Sequence, residues 1–176
     1  MIAELRTERL HLRKVQASDA ASLFTIWSDP EVTKFMNIHP FKDECQAKEM
    51  IAFLDALSKE NKTMRYTVIE TESNNIIGSC GYNFLDFTNA KAEIGYEIGK
   101  AFWGKGYAPE AIKALVSYAF DTLTFNRIEA KVEPENIKSI TVLQKLNFTF
   151  EGTMRKCEKS KGGFIDLNMY AKLVTD

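Results

Sequence analysis

The sequence predicts an α+β protein in which a mixed, mostly antiparallel and twisted sheet is flanked by helices. Three patterns point to this class. The first third has helical spacing, the middle alternates apolar and polar residues between turns, and the second half contains one strand–helix–strand crossover. Antiparallel strands joined by short turns, with a single crossover, are typical of α+β proteins rather than of doubly wound sheets.

The first third contains a short strand and three helices. Alternation predicts a strand at residues 10–13, and Ser18 with Asp19 offers an N-cap for a helix over residues 20–27. Pro30 favours the start of a second, short helix because proline suits a first turn. A longer helix is predicted from the cap Asp43 to about Lys59, and its apolar residues fall on one stripe. That stripe consists of Ala47, Met50, Ile51, Leu54 and Leu57.

The middle and the second half supply the sheet. The predicted strands are residues 65–70, 76–84, 92–98, 127–132, 148–155 and 165–173, and the predicted helices are residues 109–122 and 137–146. The first of these helices has a predicted buried face of Ala111, Ile112, Leu115, Tyr118 and Ala119. The charged run at residues 155–163 is interpreted as a solvated hairpin loop.

Composition limits the classes of function. The chain has 176 residues, 45% hydrophobic and 27% charged, which is typical of an ordered protein, and we expect one domain over residues 1–176. A net charge of −1 argues against direct, general binding of nucleic acid. The N-terminal residues lack the apolar run of a signal peptide, and no stretch approaches the ~20 apolar residues of a membrane span, so a cytoplasmic location is expected. The cysteines lack metal-ligand spacing, so no metal is expected.

A glycine-rich loop joins the third strand of the middle region to a helix. It consists of Trp103, Gly104, Lys105, Gly106, Tyr107 and Ala108. The first turn of a helix leaves N–H groups without acceptors, and its dipole favours an anion there. Glycines let the backbone approach a phosphate closely. The loop lacks the Lys-Ser/Thr of a Walker motif and the third glycine of a dinucleotide fingerprint. By itself it predicts only an anion site.

Six spaced segments carry a more specific pattern. They are residues 7–13, 27–32, 94–98, 102–111, 136–139 and 146–152, which read TERLHLR, WSDPEV, IGYEI, FWGKGYAPEA, NIKS and LNFTFEG. Together they resemble the GNAT superfamily of N-acetyltransferases over nearly the whole chain. More narrowly, they resemble the Rim-type enzymes that acetylate an N-terminal alanine or serine of ribosomal proteins.

The resemblance implies a GNAT-like fold and acetyl-CoA as co-substrate. The strand that precedes the loop would pair through its main chain with the pantetheine arm, the loop amides would hold the pyrophosphate, and the Asn-x-x-Ser helix would approach the sulfur. The implied coenzyme-binding residues are Tyr96, Glu97, Ile98, Trp103, Gly104, Lys105, Gly106, Tyr107, Ala108, Asn136 and Ser139. Ala101 stands where the superfamily often has Gln or Arg, so binding would depend on main-chain amides. Asn147 replaces a common glycine, but asparagine tolerates the left-handed conformation.

Direct transfer to an amine requires a proton acceptor and a donor to the leaving thiolate. Glu93, on the strand that leads to the loop, is the favoured base, and Glu97 on the same face competes with it. The resemblance implies Ser139 as the acid. An N–H near Tyr96 to Ile98 is the natural donor to the oxyanion.

The sequence does not decide between three classes of function on the acceptor side. The resemblance favours the α-amino group of a ribosomal protein. A small amine, such as a polyamine or an antibiotic, and a non-catalytic acyl-CoA-binding module are the alternatives. Residues 29–61 and 155–163 are expected to decide acceptor choice. A second copy of the chain is left open as a partner.

Overall fold

The strands of residues 4–176, the part of the chain that the computed structural model describes, form one eight-stranded sheet. They are β1 (Glu4–Arg6), β2 (Leu10–Lys14), β3 (Met64–Glu70), β4 (Asn75–Asp86), β5 (Lys91–Ile98), β6 (Arg127–Val132), β7 (Thr149–Ser160) and β8 (Gly163–Leu173). The order is β1-β2-β3-β4-β5-β6-β8-β7, and within the described chain only β5 and β6 pair in parallel. The predicted mixed, mostly antiparallel sheet is confirmed. The N-terminal residues Met1, Ile2 and Ala3, on which the signal-peptide expectation partly depends, lie outside the described residues.

Five helices within the same residues flank the sheet. They are α1 (Ala20–Trp27), α2 (Pro30–Thr33), α3 (Glu44–Lys59), α4 (Tyr107–Asp121) and α5 (Ile137–Lys145). Side-chain caps fix three of the helix starts. Asp29 accepts from the N–H of Glu31, and Asp43 accepts from the N–H of Gln46. Asn136 caps α5 in the same way. No helix within the described residues is long and apolar enough to cross a membrane.

Asp19 does not cap α1 with its side chain, so that expectation was wrong. A short 3-10 turn precedes the helix and directs the carboxylate back to the sheet. There Asp19 accepts two hydrogen bonds from Arg13, at 2.7 and 2.8 Å, and one from Thr67 at 2.7 Å. Burial opposes ionisation, but these bonds outweigh it and lower the pKa of Asp19. Asp19 also accepts from the N–H of Gln16 at 2.9 Å, so it caps the 3-10 turn and pairs with Arg13 instead of capping α1.

The hydrophobic core divides between the two faces of the sheet. One cluster joins α4 and α5 to the strands, and the predicted buried face of α4 is confirmed at all five positions. The second cluster contains α1 and α3, where Ala47 and Ile51 are buried while Met50 and Leu54 are half-buried. Neighbouring residues of a strand point to opposite faces. Accordingly, Tyr96 contacts α5 and Glu97 contacts α1.

The charged run at residues 155–163 is a strand hairpin rather than a loop, which corrects the interpretation from sequence. Strands β7 and β8 continue through it to a two-residue turn at Lys161 and Gly162, both with positive φ. Most side chains here are exposed on both faces, so no apolar alternation marks the strand. The tip crosses to the end of α2, where Lys161 Nζ donates to the carbonyls of Thr33 and Lys34 at 2.6 and 3.0 Å.

Candidate active site

A wedge opens in the sheet between β5 and β6. The two strands pair only from Lys91↔Arg127 to Glu93↔Glu129 and then diverge. On its other edge β5 remains paired with β4 as far as Ile98. The edge of β5 that faces β6 therefore lacks a strand partner beyond Glu93 within the described residues. Its main-chain groups can pair with an extended ligand.

A cavity of about 530 Å³ occupies this wedge. Its size suits a small-molecule site. It brings together five of the predicted site residues, which are Glu93, Tyr96, Glu97, Asn136 and Ser139. The opposite wall comes from residues 35–38, from Met50 and Leu54 of α3, and from the β7–β8 hairpin. Both segments that were expected to decide acceptor choice thus line one cavity.

Ser139 is held in place from two sides. Asn136 Oδ1 accepts from the N–H of Ser139 at 3.3 Å, so the first turn of α5 fixes the position of the serine. The Ser139 hydroxyl forms a hydrogen bond with the hydroxyl of Tyr96. Burial raises the pKa of Tyr96, although the bond to Ser139 opposes the shift. The tyrosine therefore stays protonated at neutral pH, and its hydroxyl holds the serine hydroxyl in place.

Glu97 lies at the bottom of the cavity in a closed network. Its carboxylate accepts from Trp27 Nε1 at 2.8 Å, from the Ser79 hydroxyl and from the Arg65 guanidinium. The side chains of Glu97 and Arg65 are only 5% and 12% exposed. All three donors come from the protein itself, so the carboxylate is already engaged before any amine arrives. This environment favours a structural role for Glu97.

Glu93 is more accessible and has a single cationic partner, because Lys131 Nζ lies 2.9 Å from its carboxylate. Two further carboxylates of the cavity wall, Glu133 and Glu158, were missed from the sequence. Burial raises the pKa of Glu133, Lys161 opposes the shift, and Glu135 and Glu158 add to it. Glu133 lies just beyond β6, three residues before Asn136, and that proximity to the Asn-x-x-Ser segment is the signal that could have drawn attention to it.

The glycine loop lies beyond Ile98, outside the lining of the cavity. Gly104 and Gly106 have φ values of 75° and 81°, which only glycine adopts without strain. Gly106 stands at the N-cap of α4, and no side chain caps this helix. Helix α4 starts at Tyr107 rather than at the predicted residue 109. The first-turn N–H groups are thus left for a ligand, which is the arrangement of an anion site.

The aromatic side chains of the loop contact other protein groups. The Tyr107 ring is buried, and its hydroxyl donates to Glu70, so only its main chain can meet a coenzyme. Trp103 Nε1 donates to the carbonyl of Ile98 at 2.6 Å, which ties the loop to the end of β5. Lys138 of α5 lies 4.1 Å above the Trp103 ring and links the two walls of the wedge. Lys105 and Lys138 add positive charge near the helix end.

Comparison with known proteins identifies the family. Residues 9–149 match the model of the acetyltransferase (GNAT) domain. The chain belongs to the GNAT family. This GNAT protein is 51% identical over 169 residues to the uncharacterized N-acetyltransferase p20 of Bacillus licheniformis, with 96% of this chain and 95% of that protein covered. It is 34% identical to the uncharacterized N-acetyltransferase YoaA of Bacillus subtilis, with 97% of each covered. It is therefore an N-acetyltransferase.

Solved structures confirm the GNAT-like fold. A GNAT-family acetyltransferase from Bacillus anthracis superposes with a TM-score of 0.87 at 26% identity, over 98% of this chain and 99% of that one. RimL, a ribosomal L7/L12 α-N-protein acetyltransferase in complex with coenzyme A, gives 0.85 at 23% identity over 96% of each chain. The microcin C7 self-immunity acetyltransferase MccE, in complex with acetyl-CoA and AMP, gives 0.87 at 24% identity over 96% of this chain and 94% of that one. The last two likenesses concern the fold alone.

Within residues 4–176 no group of three or more His, Cys, Asp or Glu could hold a metal ion. The expectation of a reaction without metal stays a prediction.

Proposed function

We propose that this GNAT protein transfers the acetyl group of acetyl-CoA to the α-amino group of a protein N-terminus, that of a ribosomal protein. The observation that carries the proposal is the continuous path from the wedge to the uncapped start of α4. A free strand edge, a cavity and an anion-binding helix end follow one another along β5 and its loop. The coenzymes in the RimL and MccE structures support acetyl-CoA, and RimL supports the ribosomal acceptor.

The features along this path correspond to the successive parts of acetyl-CoA. The amides of the pantetheine arm would pair with the free main-chain groups at Tyr96, Glu97 and Ile98. The pyrophosphate would accept from the N–H groups of residues 104–108, where the dipole of α4 adds a favourable field. Asn136 and Ser139 would then lie beside the thioester.

Transfer begins with the neutral amine, which attacks the thioester carbonyl. Glu93 would take the proton that the nitrogen loses, and an N–H of β5 would donate to the oxyanion. As the carbon–sulfur bond breaks, Ser139 would return a proton to the thiolate and recover one from solvent, while the Tyr96 hydroxyl holds it in place. The products are an amide and coenzyme A. Roughly a tenth to a sixth of α-amino groups are neutral at pH 7, against under ~0.1% of lysines, so an N-terminus needs less help.

One observation favours a small amine as the second candidate acceptor. The tip of the β7–β8 hairpin is bonded to the end of α2 through Lys161, and Asn37 Nδ2 donates to the carbonyl of Lys159 at 3.3 Å. These contacts bridge the acceptor side of the cavity and narrow it. An N-terminal peptide would have to enter as an extended chain. The non-catalytic acyl-CoA-binding alternative lacks such support, and the cytoplasmic location and a homodimer stay predictions.

The first prediction concerns the acceptor. Incubation with acetyl-CoA and a panel of amines is expected to release thiol with peptides that begin with Ser or Ala, and not with the same peptides blocked at the N-terminus. The panel should include a lysine-only peptide, a polyamine and an aminoglycoside. Activity confined to the small amines would replace the ribosomal assignment. Acetyl-CoA binding without thiol release from any acceptor would favour the binding module.

The second prediction concerns the loop. Gly104→Val is expected to weaken acetyl-CoA binding by roughly tenfold or more, the equivalent of losing one charge-assisted hydrogen bond. A Cβ at Gly104 meets no protein atom within 4 Å, so the loss comes from the left-handed φ, which valine resists. The measurement is a calorimetric titration with acetyl-CoA.

Gly162→Val is the matched control for that variant. Gly162 also has a positive φ, 85°, and open space around its Cβ, but it lies in the hairpin turn. Both variants should lose similar stability, and only Gly104→Val should lose coenzyme affinity. Equal affinity in the two variants would contradict the placement of the pyrophosphate at this loop.

A further inference from the structure

Arg9 reaches from the connection between β1 and β2 to the glycine loop. Its Nη1 donates to the carbonyl of Lys105 at 2.9 Å. Its guanidinium carbon lies 4.5 Å from the centre of the Tyr107 ring. Arg9 belongs to the TERL segment, which is part of the resemblance to the family but has no assigned role. The structure places it against the outside of the loop.

Glu110, in the first turn of α4, holds the guanidinium from the other side. Its carboxylate accepts from Arg9 Nε at 2.7 Å, from the Arg9 main-chain N–H at 2.9 Å and from the Thr7 hydroxyl at 2.6 Å. Burial opposes ionisation of Glu110, but these hydrogen bonds outweigh it and lower its pKa. The carboxylate is thus ionised at neutral pH. Arg9 is fixed at both ends rather than free to follow a ligand.

The bond to the Lys105 carbonyl has a geometric consequence for the next amide. The carbonyl of Lys105 and the N–H of Gly106 belong to one planar trans peptide, so they point in opposite directions. With the carbonyl turned toward Arg9, the N–H of Gly106 must point away from Arg9. Rotation of this peptide changes ψ of Lys105 and φ of Gly106. Glycine has little preference for the sign of φ, so the peptide could otherwise rotate.

We propose that Arg9 is a positioning residue that locks the Lys105–Gly106 peptide and so aims the Gly106 N–H at the coenzyme pyrophosphate. The inference rests on the proposed binding of acetyl-CoA by this loop. Glu110 and Thr7 support it by immobilising the guanidinium. The effect is preorganisation. Because the loop amides are already oriented before the coenzyme binds, less binding free energy is lost in ordering them.

Direct attraction between the Arg9 charge and the phosphates is the competing explanation. The two differ in what Glu110 does. If Arg9 acts by charge, Glu110 neutralises it, and Glu110→Gln should strengthen coenzyme binding. If Arg9 acts by position, Glu110→Gln loosens the guanidinium and should weaken binding, as Arg9→Gln does.

The test compares KM for acetyl-CoA with KM for the acceptor in Arg9→Gln, Arg9→Lys and Glu110→Gln. Arg9→Gln is expected to raise KM for acetyl-CoA by roughly tenfold, the loss of one hydrogen bond to a charged group, and to leave KM for the acceptor unchanged. Arg9→Lys should restore only part of the loss, because an ammonium lacks the planar fork that joins Lys105 to Glu110. Glu110→Gln should raise the same KM.

Arg13→Gln is the matched control, because Arg13 also forms a buried ion pair, with Asp19, but lies away from the loop. It should lower the melting temperature without a change in KM for acetyl-CoA. An unchanged KM in Arg9→Gln, or a lower KM in Glu110→Gln, overturns the inference while the proposed function stands. If the wild-type protein shows no acetyl-CoA-dependent thermal shift, the proposed function itself fails, and the positioning role fails with it.

Discussion

Glu97→Gln is expected to lower the free energy of unfolding by about 3 kcal/mol, the lower end of the cost of removing one partner of a buried ion pair. The substitution leaves the Arg65 guanidinium, which is 12% exposed, without its counter-charge. Glutamine keeps the shape of the side chain and can still accept from Trp27 Nε1. The loss of unfolding free energy should therefore stay near the lower end of the range for a broken buried ion pair. Urea denaturation at pH 7 measures it.

Glu93→Gln is the control on the same strand and the same face. Its partner Lys131 is 36% exposed, so the change in stability should stay below about 1 kcal/mol. A Glu97→Gln protein with wild-type stability and little activity would contradict the structural role. It would transfer the role of base from Glu93 to Glu97.

Local patterns in the sequence were sufficient for most of the fold. The predicted cap Asp43 acts within three residues, and the apolar stripe of α4 repeats within its own helix. Asn147 adopts the predicted left-handed conformation, with φ at 61°. Such features depend on neighbours in the chain, and therefore their residue types identify them.

Features that depend on distant partners could not be predicted in this way. Asp19 has the residue type of a cap, yet its partners Arg13 and Thr67 come from two strands. The tip of the β7–β8 hairpin, residues 155–163, has no apolar face to mark it. The interaction of Arg9 with Lys105 and Glu110 spans about a hundred residues of sequence, and only the sheet brings them together. The acceptor wall, built from residues 35–38, α3 and the hairpin, depends in the same way on contacts between distant segments.

Glu93→Gln is expected to slow acetyl transfer to an α-amino group by about 10²–10⁴-fold at pH 7, the usual contribution of a general base. The loss should shrink at pH 9, since an α-amino group with a pKa of about 8 is then mostly neutral without help. For a lysine acceptor the loss should persist, because that amine remains mostly protonated at pH 9. Single-turnover rates against pH on both acceptors measure the difference.

The variants Glu133→Gln and Glu158→Gln test whether another carboxylate of the cavity, rather than Glu93, is the general base. Burial raises the pKa of Glu133, and Glu93 is paired with Lys131, so both alternatives to Glu93 need a direct test. A larger and more pH-dependent loss in either of these variants than in Glu93→Gln would move the role of base to that residue.

Lys131 offers a direct test of Glu93. The hydrogen bond to Glu93 raises the pKa of Lys131, so the lysine stays charged and keeps the carboxylate occupied at neutral pH. Lys131 therefore competes with an incoming amine for the Glu93 carboxylate. Lys131→Met removes the competitor and keeps much of the aliphatic stem. It should therefore increase the transfer rate if Glu93 is the base. If the lysine instead orients Glu93 toward the amine, the same substitution should reduce the rate. The sign of the rate change separates the two cases. Combining the substitution with Glu93→Gln tests whether the effect acts through Glu93 at all, because such an effect must disappear once Glu93 is gone.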